Sequence, residues 1–133
     1  MGHSFFKCED RVVRVRDFYL GVVCAIIAKE SEELPESSEL QTAIQPLRKH
    51  ILERAHYYGI TTVIELAGFF PSAAQRRLFR VFLQSVVTKL QAFGSVIPKS
   101  YMSSLPHGEF YGKETWTTSE VREIFNQVEK LVE

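Results

Sequence analysis

The sequence predicts an all-α, single-domain helical bundle of four longer helices plus one short helix, with a long aromatic-bearing loop before the last helix. Three amphipathic runs carry that prediction. From Ser72 to Phe93 the residues Leu78, Phe79, Phe82, Leu83, Val86, Val87, Leu90 and Phe93 fall within one half of a helical wheel, opposite Arg77, Arg80, Gln84, Thr88 and Gln91. So broad an apolar stripe marks a central helix touching several neighbours. Leu40, Ile44, Leu47, Ile51, Ala55 and Tyr58 form a second run at spacings of three and four. Val121, Ile124, Phe125, Val128, Leu131 and Val132 form a third. A chain of 133 residues suits one domain, large enough to bury a core without a metal or a disulfide.

Residues 1–8 read as a loose N-terminal arm bearing Phe5 and Phe6. Asp10 to about Lys29 reads as the first helix, apolar almost all round, with Gly21, Ala25 and Ala28 as a stripe of small residues that admits a close neighbour. A β-strand at Val12 to Val15 is the alternative, because β-branched side chains suit extended backbone. Glu30 to Glu39 holds five glutamates and no basic residue, the composition of an exposed, solvated connection.

The second helix ends before Gly59, and Pro46 either kinks it or starts it afresh. A short helix from Thr62 follows, opened by a Thr62–Glu65 capping box and stopped at Gly68. Ser72 and Gln75 form the capping box of the central helix, which Gly94 closes. Across 95–117, Pro98, Pro106, Gly108 and Gly112 break every helical period. This stretch reads as a long loop with a small hairpin around Gly112. Thr117 and Glu120 open the last helix with a further capping box.

Charge and motifs bound the function. A formal net charge of zero argues against a dedicated nucleic-acid binder, which usually carries a basic excess. Two cysteines make no disulfide scaffold, and Cys24 sits in an apolar run as a core residue. The apolar run Phe18 to Ala28 is too short to span a bilayer and is flanked by Asp17 rather than by the features of a secretory signal. Phe6 stands where a myristoylation signal needs serine or threonine. A cytoplasmic location is the expectation.

Neither cysteine neighbours a histidine in sequence. No nucleophile elbow and no glycine-rich phosphate loop is present. The expected function is therefore non-enzymatic and cofactor-free: a protein-binding module such as a small inhibitor, immunity-type antidote or adaptor. Its surface would combine Glu32, Glu33 and Glu36, which speed encounter with a basic partner, with Tyr101, His107, Phe110, Tyr111 and Trp116 as anchors. The alternative is a helix-turn-helix DNA-binding regulator over residues 62–82, reading DNA through Gln75, Arg76, Arg77 and Arg80. A third possibility is a bundle enclosing a small ligand or metal at Glu53 and His56. That pair is a single Glu-x-x-His unit, where dinuclear carboxylate bundles use two, so no bound metal is expected.

Overall fold

The structure, a computed structural model, describes residues 2–53 and 62–133. It opens with a β-hairpin where the sequence suggests a loose arm and a helix. β1 (His3–Cys8) and β2 (Arg11–Arg16) pair antiparallel around a two-residue turn in which Glu9 takes φ 60°. β3 (Val63–Glu65) pairs parallel with the other side of β1, so the sheet order is β2-β1-β3.

The all-α bundle is thus corrected to a mixed α+β fold. Beside the sheet, among the described residues, stand four longer helices: α1 (Asp17–Glu32), α2 (Glu39–Glu53), α4 (Ala73–Ala92) and α7 (Thr118–Leu131). Three short ones join them: α3 (Leu66–Phe69), α5 (Lys99–Ser103) and α6 (Gly108–Tyr111). The physical reason lies in residues 13–16, VRVR, where valine and arginine alternate at the period of a strand. Val15 is buried on the inner face while Val12, Arg14 and Arg16 are exposed on the outer one. β1 alternates likewise, burying Ser4, Phe6 and Cys8 and leaving His3, Phe5 and Lys7 half-buried.

Ser4 locks the hairpin to its neighbours. Its buried hydroxyl donates to the Asp17 carboxylate at the start of α1 and accepts the Thr62 N–H at 2.9 Å, next to β3. Two backbone bonds fix the parity of the sheet. Asp17 N–H donates to the Gly2 carbonyl at 3.2 Å, and Phe5 N–H donates to the Thr62 carbonyl at 2.8 Å. Even-numbered residues of β1 therefore bond towards β2 and odd-numbered ones towards β3.

Helix α1, not α4, is the most enclosed element: every residue from Leu20 to Ala28 is buried. It packs on the sheet, on α2 and on α7, while α4 packs against α2 and α7 through one face. The capping box of Ser72 and Gln75 is formed, and Gly94 follows the helix at φ +89°. Phe70 stacks on Phe79 with ring centroids 4.3 Å apart, joining the α3–α4 connection to the core.

The acidic run is more ordered than its composition suggests. α1 continues through Glu32, and its last carbonyls are met by side chains from α2. Gln41 Nε2 donates to Ser31 O and Leu34 O at 3.1 and 3.0 Å, and Arg48 Nη1 donates to Ser31 O at 3.1 Å. α2 passes through Pro46 without an interruption, and Ser38 Oγ accepts the Gln41 N–H at 3.0 Å. Its expected continuation through Ala55 and Tyr58 lies outside the described residues.

Two expected capping boxes are absent. Thr62 precedes a strand, and Glu65 itself caps α3 by accepting the Ala67 N–H at 3.3 Å. At α7 the Thr117 side chain makes no cap bond, while Glu120 accepts from the Tyr19 hydroxyl. No helix among the described residues is long and apolar enough to cross a membrane.

Replacing Ser4 by alanine strands a buried carboxylate and a backbone N–H together. Urea unfolding should show a loss of about 1–3 kcal/mol. Val12→Ala, on the exposed face of the same hairpin, should stay within about 0.5 kcal/mol of the parent.

Candidate functional site

The segment 95–117 is not a structureless loop with a hairpin. It carries α5 and α6 and is pinned at its base by a β-bridge between Val96 and Thr117. Its aromatic residues turn inward. Trp116 and Tyr111 are each 3% exposed. Trp116 stacks on Phe18 of α1 at 4.9 Å and meets Tyr19 edge-on at 5.3 Å, while its Nε1 donates to Tyr111 O at 2.9 Å. Phe110 packs edge-on to Phe18 at 5.2 Å and is half-buried. His107, also half-buried, takes φ 61° at the N-cap position of α6, where its backbone carbonyl accepts from Phe110 and Tyr111 N–H.

The small-residue stripe of α1 serves this segment: a Cβ at Gly21 would come within 2.5 Å of Tyr111 Oη. Gly108 packs so closely on the Ser103 carbonyl that no side chain fits between α5 and α6. The aromatics expected to anchor a partner are, for Tyr111 and Trp116, part of the core.

The acidic candidates divide in two. Glu32, Glu33 and Glu36 are exposed. Glu30, expected to be exposed as part of the same run, is instead buried and accepts from Lys89 Nζ at 3.0 Å and from the Tyr101 hydroxyl at 2.7 Å. Lys89 also reaches Glu33 at 3.5 Å, and Lys29 and Lys89 each lie 5.6 Å from the Tyr101 ring centroid. Burial pushes the Tyr101 hydroxyl far up from its ordinary value, and the bond to Glu30 adds to the shift. Burial alone would lower Lys89, but the bond and charge of Glu30 outweigh it and hold the ammonium up. Tyr101 and Glu30 thus tie α5 to the ends of α1 and α4. Of the exposed glutamates, Glu33 joins this cluster through Lys89.

The four residues of the DNA alternative are mostly spent within the chain. Gln75 closes the capping box of α4. Arg76 Nε donates to Phe70 O at 2.9 Å, and its Nη1 pairs with Glu9 of the hairpin turn at 2.9 Å. Arg80 reaches Glu129 and Glu133 at 3.9 and 3.6 Å. Arg77 remains exposed. Of the metal candidates, Glu53 pairs with Lys49 at 4.0 Å on an exposed surface, and His56 lies outside the described residues. No group of three or more potential ligands assembles among the described residues.

What sequence reasoning missed is the free edge of β2. The sheet parity turns the N–H groups of Val12, Arg14 and Arg16 away from β1, where no described strand pairs with them. α7 runs alongside in the opposite sense: Arg11 Nη2 donates to Glu133 O at 3.2 Å at one end, and Tyr19 meets Glu120 at the other. Between strand and helix lies an open groove of about 670 Å³, lined on one wall by Arg14, Val15 and Arg16 and on the other chiefly by Glu120, Glu123 and Ile124. The period-two valine–arginine alternation was the signal that could have exposed this edge.

Trp116→Ala should lower stability by about 3–5 kcal/mol in chemical unfolding, as loss of a core aromatic does. Alkali should destabilise the Tyr101–Glu30–Lys89 cluster. Both raised groups are bound in their protonated forms, so their stabilisation is complete below the unfolded-state values of 10.0 and 10.5 and is lost as pH rises above them. The melting temperature should fall above pH of about 10 and fall less steeply in Tyr101→Phe. Compared with known protein families, curated proteins and solved structures, the chain matches none.

Proposed function

We propose that the chain is a non-enzymatic, cytoplasmic protein-binding module that captures an extended segment of its partner by strand addition to β2. The observation that carries this is the free β2 edge beside the α7 groove. Six residues of strand span about 20 Å at the usual rise, room for a peptide of similar length. Main-chain hydrogen bonds at such an edge supply affinity, and pockets for alternate side chains supply specificity. An inhibitor, an antidote and an adaptor could each work this way.

The acidic and aromatic surface has less support as the anchor, because its largest aromatics are committed to the core. Glu32, Glu33 and Glu36 keep a part in steering, since exposed charges act mainly on the rate of encounter. DNA reading has less support too, as Arg76 and Arg80 of α4 already hold carboxylates.

Selection of a displayed random-peptide library on the immobilised protein tests the proposal. Selected peptides should shift the backbone amide resonances of Val12, Arg14 and Arg16. Arg14→Pro removes one outward N–H without removing a ladder bond, a substitution that edge strands tolerate. Binding of the selected peptides should fall at least about tenfold in that variant, with the melting temperature held within a few degrees. Peptides that map instead to Glu32–Glu36, or that bind Arg14→Pro unchanged, would refute strand addition.

A further inference from the structure

Resting on the strand-addition reading, the geometry points to one class of occupant: we infer that the groove takes a peptide strand in which acidic residues alternate with basic ones. The two walls differ in sign. On the strand side Arg14 and Arg16 project from the outer face of the sheet, with Lys7 and His3 beside them on β1. Glu65, the one carboxylate on that face among the described residues, is engaged by the Ala67 N–H. On the helix side the groove presents Glu123 and Glu120, the latter keeping its charge while accepting from the neutral Tyr19 hydroxyl.

A strand laid along β2 sends successive side chains to opposite faces. One set becomes the cross-strand neighbour of Arg14 and Arg16, and the other faces the carboxylates of α7. Opposite charges placed directly across a strand pair stabilise it, and like charges destabilise it. A partner with acids in one set and bases in the other satisfies both walls at once. A uniformly acidic or basic segment satisfies one and offends the other.

The same charges speak against a second copy of this chain. Antiparallel pairing of β2 with itself about Arg14 sets that arginine against its own copy and gathers Arg14 and Arg16 of both strands on one face. Charged residues on an exposed edge are a common guard against such self-pairing. On the outer face Phe5 lies across from Arg14, with exposed Val12 and Val63 to either side. What favours a peptide over a nucleic acid is the facing wall, where Glu120 and Glu123 repel a phosphate backbone.

The test uses the full chain and a fluorescent peptide of about eight residues alternating glutamate and lysine, against an isomer with the same residues in two blocks. The alternating peptide should bind about tenfold more tightly and slow hydrogen exchange at Val12 and Arg14. Arg14→Glu/Arg16→Glu should abolish the preference, and Arg14→Gln/Arg16→Gln should halve it or more, each with its melting temperature checked. Equal affinity for the two isomers would overturn the charge pattern. Protection of β2 in that case would leave strand addition standing, whereas selected peptides that ignore β2 would remove the parent reading itself. Displacement of the peptide by oligothymidylate would overturn the inference in favour of nucleic acid. Concentration-dependent dimers with protected β2 amides would overturn it in favour of self-pairing.

Discussion

One strand with bonds to satisfy on both sides constrains everything else. β1 lies between an antiparallel and a parallel neighbour, so each of its residues bonds left or right by parity, and each side chain points in or out by the same parity. Ser4 is the position where those requirements meet a third. It faces inward, close to α1, and its hydroxyl joins the carboxylate that begins that helix to the backbone that begins β3. A buried polar group here is tolerated because both of its partners are supplied by the chain. Shifting the register by one residue would turn Phe6 and Cys8 to solvent and place Lys7 in the core.

The functional candidates sort themselves by the same logic of partners already supplied. Arginines at the start of α4 resemble a nucleic-acid surface in sequence, yet Arg76 binds the hairpin turn and Arg80 the end of α7. Glu30 resembles its acidic neighbours but is the acceptor for a lysine and a tyrosine drawn from other elements. Side chains whose bonding capacity is used internally offer little to a partner. The edge of β2 is different, because backbone donors there face outward along a whole strand.

Three of the helices were legible because their cores are read by period alone. Phe79, Phe82, Leu83, Val86 and Leu90 of α4 are buried, as are Val121, Phe125 and Val128 of α7. The sheet was not legible for a physical reason: β3 has three residues, and its pairing partner β1 lies far away in sequence. Phe5 meets Val63, and nothing local announces it. The hairpin was half-visible at Val12 to Val15, where β-branched residues favoured a strand, but the apolar run of α1 absorbed it into a helix. The Glu120 carboxylate went to Tyr19 rather than to a cap because tertiary contact outbid a local motif. Tyr111 and Trp116, expected as anchors for a partner, are buried and hold their own segment on α1.

The hairpin that opens the chain has a consequence for the order of folding. β1 finds its parallel neighbour some sixty residues later, and Arg11 reaches the carbonyls of Lys130 and Glu133 at the far end of α7. Contacts of such long range are slow to form, since a large loop must close before they give any return. During synthesis the inner face of the hairpin, with Phe6 and Val15, is therefore covered first by α1, while the contacts with β3 and α7 wait for later parts of the chain. The three arginines of β2 keep that waiting strand charged and discourage it from pairing with a neighbouring nascent chain.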